Sequence, residues 1–388
     1  MSETIIRHAT ERFRNTYHQG LIGKAGSRSA LETPALILDL DRLELNIALM
    51  ANHAATNNIA LRPHAKSHKS VAIGRLQMQH GAVGLCCATL DEAETFLLGG
   101  IDNILITSPI AGDAKMAHLA DLPITGQLAL SLDSLEAANA VAEVARKTKR
   151  RIGIMVDIDP GIGRTGTANA VASVELALTV EKASHLEFLG VQFYDGMSQH
   201  IEKADARATA TDSGYVILQN ALDAIEQALG RKVKIVSGGG TGTIEQDIAS
   251  GLFTEIQAGS YVFMDAQYHA VERPQSPKFH SSLFVQMMVI SANQIGQVTV
   301  DAGLKHLAFD GGNPTIVSGA PEGSTYGYMG DEHGSISLPD EYSSLSHGTK
   351  IEGIIPHCDP TVNLFGYYHC VRGDMLVEIW PVDAAGKL

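Results

Sequence analysis

The sequence predicts an α/β fold in which a (β/α)8 TIM barrel is followed by a mostly β C-terminal domain. Short apolar runs alternate with longer amphipathic stretches from residue 33 to about residue 250. Strands that alternate with helices pair in parallel through right-handed crossovers, and eight such units in about 230 residues are the size of a closed barrel. After residue 275 the chain changes to β-like runs split by Gly, Asn, Asp and Pro, which indicates a separate β domain.

The first unit shows how each strand and helix is predicted. An apolar run at 35–40 follows Thr33-Pro34, a pair that favours an extended start. Asp41 and Glu44 then resemble a capping box, and apolar residues recur behind them at helical spacing. The later apolar runs that begin a unit lie at 59–62, 83–87, 103–107, 127–132, 152–157, 188–194 and 233–237. An open doubly wound sheet is the alternative, but the GxGxxG loop expected after its first strand is missing.

The same patterns divide the chain into three parts. Residues 1–30 are predicted to form an N-terminal extension, residues 31–272 the barrel and residues 273–388 the C-terminal β domain. The segment 272–277, which contains two prolines, is the predicted linker. The β-like runs of the C-terminal domain lie at 283–291, 297–301, 315–318, 351–355, 367–371 and 376–380.

Composition and charge exclude several classes of protein. The 388 residues carry 29 Lys and Arg against 43 Asp and Glu, a formal net charge of −14, which argues against nucleic acid or an anionic membrane as a partner. No run of about 18 apolar residues and no secretory signal occur, so a soluble cytoplasmic protein is predicted. The four cysteines show no CxxC spacing, and buried free thiols are expected.

A cluster of bases follows the apolar run at 59–62, where a barrel strand would end. Active-site groups of a TIM barrel lie at the carboxyl ends of its strands. His64, Lys66 and His68 are spaced two apart, so in extended chain they share a face toward the barrel mouth. A desolvated Lys beside other cations is a candidate amine nucleophile. A solvated basic helix start is the alternative for Lys66, and it is the favoured interpretation for Lys69.

Two glycine-containing runs are candidates for binding phosphate. Consecutive glycines allow backbone N–H groups to close around an anion, and a phosphate after the last strands is common in TIM barrels. A flexible loop is the alternative interpretation. The candidate residues of the two runs are Ser237, Gly239, Gly240, Thr241, Gly259, Ser260 and Tyr261.

Two further strand ends carry groups suited to a cofactor or substrate. Arg164 lies in a glycine-rich turn after the run at 152–157, where it can meet an anionic oxygen. Tyr194 and His200 follow the next run and offer an aromatic ring and a base. Core packing is the alternative role for Tyr194, and a structural role is the alternative for His200.

His357 and Asp359 form the sharpest motif of the C-terminal domain. Residues two apart on a strand project from the same side, so the pair can offer one imidazole and one carboxylate to a divalent cation. Two protein ligands leave positions open for water or substrate. Asp331 and His333 belong to a second polar group that is a candidate to approach the same point. A hydrogen-bonded turn closed by Pro360 is the alternative.

Together these motifs resemble the fold-type III pyridoxal-phosphate enzymes, the alanine-racemase-like group. Within that group, the sequence is similar to the D-threonine aldolase and D-serine dehydratase family. The similarity covers most of the chain, and its motifs occur in family order at 33–39, 62–66, 163–164, 199–200, 237–242, 259–261, 301–305, 331–334 and 357–360.

The resemblance implies two bound groups. Lys66 would hold pyridoxal 5'-phosphate as a Schiff base, with the cofactor's phosphate at the glycine runs. Arg164 would lie near the phenolic oxygen, with Tyr194 near the ring. His357 and Asp359 would bind a divalent metal, and their carboxylate favours Mn or Mg over Zn, since the zinc-dependent dehydratases resemble His-x-Cys there.

The resemblance also implies an activity. The expected enzyme is a lyase that cleaves D-threonine, D-3-hydroxyaspartate or a similar D-β-hydroxy-α-amino acid to glycine and an aldehyde, with His200 as first candidate for the base. Gln199, like Asp331 and His333, would lie near the substrate. The alternative is a dehydratase that releases a keto acid and ammonia, and two departures from the aldolase pattern, at Ala88 and Asp195, bear on the substrate. A homodimer is expected.

Two further classes of protein share part of this pattern. A non-catalytic pyridoxal-phosphate carrier also needs Lys66 and the glycine loop, but it does not need His357 and Asp359. A barrel enzyme that acts on a phosphorylated sugar would bind no pyridoxal phosphate, so its purified form would lack visible absorbance.

Overall fold

The computed structural model describes residues 16–386 of the chain, which form two compact units. One unit, called the barrel unit here, contains residues 47–261 and 270–278. The other, called the β unit, contains the described residues up to 46 together with 262–269 and 279–385. Residues 1–15 of the predicted N-terminal extension lie outside the described residues.

Eight parallel strands form the sheet of the barrel unit, as the sequence predicts. Their spatial order is β2-β9-β8-β7-β6-β5-β4-β3, and a parallel bridge between His64 and Cys86 joins the two ends of that order. The joined sheet is the (β/α)8 arrangement of a TIM barrel. The strands are β2 (Ala60–Leu61), β3 (Leu85–Cys87), β4 (Asn103–Ile106), β5 (Gln127–Leu132), β6 (Ile152–Ile158), β7 (Leu186–Phe193), β8 (Ile235–Gly238) and β9 (Glu255–Ile256).

Helices follow the barrel strands, and α6 shows why they form. Ser134 caps its N-terminus by accepting the N–H of Ala137, and Lys149 ends it in the left-handed conformation. Its buried residues recur at helical spacing and face the sheet. The helices are α1 (Ser27–Ala30), α2 (Leu40–Thr56), α3 (Val71–Gln79), α4 (Leu90–Leu98), α5 (Asp113–Asp121), α6 (Leu135–Thr148), α7 (Ala170–Lys182), α8 (Ala204–Leu229), α9 (Ile244–Ser250), α10 (Ala266–Ala270) and α11 (Cys358–Val362).

The core of the barrel is apolar and made from inward-facing residues of neighbouring strands. Cys86, Leu105 and Met155 form a buried cluster, with other apolar side chains of β5, β7 and β8 packed against it. All seven residues of β6 are buried, as expected of a parallel strand covered on both faces. This packing directs the carboxyl ends of the strands, with the loops that follow them, to one end of the barrel.

The β unit is built on a second sheet with the order β13-β14-β11-β10-β1-β16-β17, while β15 pairs with both β10 and β12. Most neighbours are antiparallel, and β1 with β16 is a parallel pair. The strands are β1 (Ala35–Asp39), β10 (Leu283–Gln294), β11 (Gln297–Val300), β12 (Thr315–Ser318), β13 (Thr325–Tyr328), β14 (Gly334–Ser337), β15 (Lys350–Ile354), β16 (Tyr367–Arg372) and β17 (Met375–Pro381).

The structure differs from the sequence-based expectation at the first strand. The run at 35–40 was expected to begin the barrel, but β1 pairs with β10 and β16 in the other sheet. The eighth barrel strand is instead β9, which has two residues. Every residue of β1 is buried, so its pattern indicates a strand with two covered faces but carries no information about its partner.

Two expectations from composition can be compared with the fold. The four cysteines form no disulfide and are buried, as predicted, and burial raises the pKa of the Cys86 and Cys87 thiols. Among the residues that the structure describes, no helix combines the length and apolar character needed to cross a membrane.

Candidate active site

A cavity of about 270 Å³ lies where the carboxyl ends of the barrel strands meet. Loops after six strands contribute to its wall, so residues that are far apart in sequence converge there. The side chains that line it come mostly from residues directly after a strand. They are His64, Lys66, Ala88, Thr107, Ser108, Arg164, Thr165, Gln192, Tyr194 and Gln257.

Lys66 lies in a short 3-10 turn, Ala65–Ser67, which follows β2. His64 precedes the turn, and its Nδ1 accepts the Lys66 N–H at 3.4 Å. The His64 Nε2 lies 3.0 Å from the Thr107 hydroxyl, which itself donates to the carbonyl of Cys87. Because Nδ1 accepts and the hydroxyl proton is already used, the Nε2 of a neutral His64 carries the proton and donates to Thr107. This arrangement fixes the backbone that carries the Lys66 amine.

Lys69 has different surroundings from Lys66. Its Nζ lies 3.3 Å from Glu92 Oε1, and only 12% of its side chain is exposed. The other oxygen of Glu92 accepts the N–H of Ala88 at 2.7 Å. The expectation that Lys69 is a solvated basic residue is therefore wrong, because Glu92, buried in α4, pairs with it. Lys66 is the lysine that lines the cavity.

Arg164 and Tyr194 form one wall of the cavity. The Arg164 guanidinium lies 5.0 Å from the centre of the Tyr194 ring, within the range of a cation–π interaction. The loop that carries Arg164 is held by Asp159, whose Oδ1 accepts three successive N–H groups from 161 to 163. Gly166 is required in this loop, since its φ is +107° and a Cβ there would lie 2.2 Å from the Asp159 nitrogen. The guanidinium can therefore meet an anionic oxygen from a fixed position.

A layer of buried polar side chains underlies the cavity. The Gln192 amide donates to the Thr107 carbonyl at 2.8 Å and to Asp157 Oδ1 at 3.0 Å, and it accepts from Gln257. Gln257 also donates to Ser237, so Ser237 belongs to this layer. Burial raises the pKa of Asp157 to about 6, although the bond from Gln192 partly offsets the shift. Asp157, Gln192 and Gln257 are not among the residues predicted for the site. Their signal in the sequence is a polar residue within or directly after an apolar run.

The first glycine run is a closely packed loop held by two side chains from outside it. A Cβ on Gly239 would lie 2.3 Å from Asp247 Oδ2, and one on Gly242 would lie 1.9 Å from the Gln199 carbonyl oxygen. Asp247 accepts from Thr243 at 2.6 Å, and the Gln199 side chain accepts the N–H of Gly242 at 3.1 Å. These contacts favour a packed loop over a flexible one. Gln199, predicted to be near the substrate, supports the loop, as does Asp247, which sequence analysis missed.

The second glycine run lies beside both the first run and the Lys66 turn. The Tyr261 N–H donates to the Thr241 hydroxyl at 3.1 Å, and the buried Tyr261 hydroxyl accepts from Gln77. A Cβ on Gly259 would lie 2.6 Å from the His64 carbonyl oxygen. Ser260 begins the 3-10 turn that follows. The two predicted phosphate-binding runs are therefore adjacent to each other and to the lysine.

His200 is exposed after a tight turn and is not among the residues that line the cavity. The turn is formed by Asp195, whose carboxylate accepts the N–H groups of Met197 and Ser198 and the Ser198 hydroxyl. Asp195 thus shapes the chain between Tyr194 and His200.

The predicted metal ligands lie together in the β unit, at the start of α11. The His357 Nε2 lies 3.8 Å from Asp359 Oδ2, and the His357 Nδ1 lies 2.6 Å from Asp310 Oδ2. Asp265, which is fully buried, accepts the N–H of Cys358 at 2.8 Å and holds the start of the helix. Within residues 16–386, no group of three or more His, Cys, Asp or Glu has the geometry of a metal site.

The other predicted group of the β unit, at 331–334, is exposed at its first three residues. Glu332 pairs with Lys305, and the Asp331 carbonyl accepts the Lys305 N–H at 3.0 Å. Asp331 and His333 are therefore accessible in a turn before β14, and their predicted role near the substrate stays a prediction.

Comparison with known proteins identifies the family. Residues 38–267 match the alanine racemase N-terminal domain, and residues 282–371 match a putative serine dehydratase domain. The chain belongs to the D-threonine aldolase and D-serine dehydratase family within the alanine-racemase-like group. The fold type and the resemblance predicted from the sequence are confirmed.

Relatives of the chain include aldolases and a dehydratase. The 3-hydroxy-D-aspartate aldolase of Paracoccus denitrificans (strain Pd 1222) is 37% identical, with 92% of this chain and 93% of the relative covered. The D-threo-3-hydroxyaspartate dehydratase of Delftia sp. (strain HT23) is 26% identical over 90% of this chain and 97% of the relative. The crystal structure of D-threonine aldolase from Filomicrobium marinum superposes with a TM-score of 0.86 at 37% identity, covering 92% of this chain and 96% of that one.

The residues of the cavity fit the pyridoxal phosphate that this family implies. A lysine amine, an arginine and an aromatic ring line one cavity. The second glycine run contacts the turn that carries the lysine, and the first run is hydrogen-bonded to the second. The donor set in the β unit also fits a divalent ion. Metal–nitrogen and metal–oxygen bonds are each about 2.0–2.2 Å, so one ion can reach both ligand atoms of a pair 3.8 Å apart.

Proposed function

We propose that this protein is a pyridoxal-phosphate- and metal-dependent lyase that cleaves D-β-hydroxy-α-amino acids to glycine and an aldehyde. The observation that carries the proposal is the position of Lys66 in a cavity with Arg164 and Tyr194, next to two glycine runs. The names of the relatives at 34–37% identity, which are 3-hydroxy-D-aspartate aldolase and D-threonine aldolase, support it.

The cofactor, when bound, supplies an electron sink for the carbanion that bond cleavage leaves. The chain's own residues would bind and orient. Lys66 would hold the cofactor's aldehyde carbon, and Arg164 would face its anionic ring oxygen while Tyr194 limits movement of the ring. The glycine runs, held by Gln199 and Asp247, would keep the phosphate in place through backbone N–H groups.

His357 and Asp359 would hold a divalent ion, and carboxylate oxygen favours Mn or Mg. A Lewis acid near a hydroxyl lowers the pKa of that hydroxyl. His200 is the first candidate for the base that receives the proton of the substrate's β-hydroxyl, because it is an exposed imidazole after a strand end of the barrel.

A dehydratase that releases a keto acid and ammonia is the second candidate. The Delftia dehydratase matches this chain along almost its whole length at lower identity, so fold alone does not discriminate between the two reactions. In this alternative, Lys66 would take the Cα proton of the substrate, and His357 and Asp359 would hold an ion that supplies Lewis acidity for a departing hydroxyl.

Product analysis distinguishes the two candidates. We expect D-threonine and D-3-hydroxyaspartate to yield glycine and an aldehyde, and the L-enantiomers to yield neither. Glycine, aldehyde, keto acid and ammonia are measured in parallel on the purified protein loaded with pyridoxal phosphate and Mn²⁺ or Mg²⁺. Keto acid and ammonia without glycine would contradict the aldolase assignment and support the dehydratase.

Two further properties belong to the proposal. Family likeness supports a homodimer. The molar mass measured by light scattering during gel filtration tests this directly. The predicted cytoplasmic location is tested by cell fractionation.

A further inference from the structure

A carboxylate that the sequence motifs do not include contacts the predicted metal ligand His357. Asp310 lies in the loop between β11 and β12, and its Oδ2 is 2.6 Å from the His357 Nδ1. At this distance the two side chains share a strong, charge-assisted hydrogen bond. The carboxylate is the acceptor, so the Nδ1 of His357 carries the proton.

The loop that carries Asp310 is anchored on both sides of that residue. The Tyr328 hydroxyl contacts the carbonyls of Ala308 and Gly312 at 3.0 and 3.3 Å. Thr361, in α11, accepts the N–H of Ala308 at 3.2 Å. The half-exposed Asp310 side chain is therefore held by an ordered backbone, which reduces the entropic cost of keeping it on His357.

The loop also approaches His357 too closely to leave room for a side chain next to Asp310. A Cβ on Gly311 would lie 2.9 Å from the His357 Cβ and 2.8 Å from the Pro356 carbonyl carbon. This close approach fixes the distance between the Asp310 backbone and the imidazole ring. The hydrogen bond is thus part of a packed arrangement between the loop and the start of α11.

The proton on Nδ1 determines what the other ring nitrogen can do. With Nδ1 donating to Asp310, the Nε2 of a neutral His357 presents a lone pair toward Asp359 Oδ2, 3.8 Å away. That distance is too long for a hydrogen bond. The Asp359 Oδ2 also accepts from the Cys358 thiol at 3.3 Å. Two ligand atoms 3.8 Å apart are within reach of one shared cation, and a carboxylate behind the imidazole makes it a stronger ligand.

We propose that Asp310 is a positioning residue for the metal, which holds His357 in the tautomer and orientation that present Nε2 beside Asp359. This inference rests on the metal pair of the proposed function. Asp310 acts through His357 and is not itself a metal ligand. Loss of its carboxylate is expected to weaken metal binding by about 10- to 100-fold and to leave cofactor binding unchanged.

The test measures Mn²⁺ affinity of the pyridoxal-phosphate-loaded full chain by electron paramagnetic resonance of free Mn²⁺. Four variants are compared with wild type: Asp310→Ala, Asp310→Asn, His357→Ala and Asp340→Ala. Asp340 is an exposed carboxylate of the same unit and serves as the matched control. Visible absorbance of the bound cofactor reports that each variant is folded.

We expect Asp310→Ala to weaken Mn²⁺ binding by 10- to 100-fold and Asp340→Ala to change it less than twofold. Asp310→Asn keeps an oxygen acceptor without the charge, so its affinity should be intermediate, and it replaces the alanine variant if that variant does not fold. Activity lost in Asp310→Ala should return at high Mn²⁺ concentration.

Two outcomes would overturn the inference in different ways. If both Asp310 variants bind Mn²⁺ within twofold of wild type while His357→Ala does not bind it, Asp310 has no positioning role and the proposed function stands. If His357→Ala binds Mn²⁺ like wild type, the metal pair of the proposed function is itself wrong, and the inference fails with it.

Discussion

Lys66 and Lys69 are three residues apart, yet the surroundings of their amines differ. Lys66 lines the cavity, while Lys69 pairs with Glu92, a buried carboxylate that also holds the backbone at Ala88. The Lys69 amine lies 3.3 Å from the Glu92 carboxylate and is not among the groups that line the cavity. A lysine that reacts with a cofactor must reach it, so the two residues cannot exchange roles.

Replacement of each lysine by arginine tests this difference. A guanidinium keeps the positive charge but does not form an imine with an aldehyde. We expect Lys66→Arg to lose the visible absorbance of covalently bound pyridoxal phosphate after gel filtration, and Lys69→Arg to retain it. Circular dichroism controls for folding, and the opposite pattern of absorbance would show that Lys69 carries the cofactor.

At the scale of single elements, the carboxyl ends of the barrel strands combine burial with polarity. Asp157 and Gln192 are the second-last residues of β6 and β7, respectively. The hydrogen bond between their side chains joins these two neighbouring strands below the cavity. Only 4% of Asp157 is exposed. Burial of the Asp157 carboxylate is costly, and its hydrogen bonds offset that cost only in part, while the layer positions the residues that line the cavity.

The raised pKa of Asp157 makes this cost depend on pH. Its pKa is about 6 in the folded protein, against about 3.9 in an unfolded chain, so the folded state holds the proton more tightly and ionisation destabilises it. The stability conferred by the protonated carboxyl is present below pH 4 and is lost as the pH rises through 6. In Asp157→Asn this loss does not occur.

We therefore expect the free energy of unfolding of wild type to fall by about 1–2 kcal/mol relative to that of Asp157→Asn when the pH is raised from 5 to 8. Urea denaturation of both proteins at the two pH values measures it. A difference that is independent of pH, or one that favours wild type more at pH 8, would show that the Asp157 pKa is not raised.

At the scale of the whole molecule, the residues of the two proposed binding sites belong to different units. The cavity, Lys66 and the glycine runs are in the barrel unit, whereas His357, Asp359 and Asp310 are in the β unit. Each set of residues is positioned by hydrogen bonds within its own unit. Cofactor binding should therefore be separable from metal binding.

Removal of the metal tests this separation. We expect a chelator to abolish lyase activity while the visible absorbance of the bound cofactor remains, and Mn²⁺ or Mg²⁺ to restore activity. Absorbance and product formation are followed on the same sample, with a mock-dialysed sample as control. Simultaneous loss of cofactor and activity would indicate that the ion has a structural role.

Much of this molecule could be predicted from local pattern. Strand and helix periodicity predicted the barrel, and the spacing of His64 and Lys66, of the glycines, and of His357 and Asp359 drew attention to the residues that now line or flank the candidate sites. These features are visible because they depend on neighbours within a few residues along the chain. The extended backbone expected for the two pairs is wrong, since Lys66 lies in a 3-10 turn and Asp359 in the first turn of α11.

Contacts between distant parts of the chain were decided only by the tertiary structure. The pairing of β1 with β10 and β16, the ion pair between Lys69 and Glu92, and the bond from Asp310 to His357 each join segments that no periodicity relates. Sequence pattern encodes which face of an element is buried, but the partner on that face is selected by packing of the whole chain. For that reason the sequence by itself determined the kind of chemistry, and the fold decided which lysine faces the cavity and which carboxylate contacts the histidine.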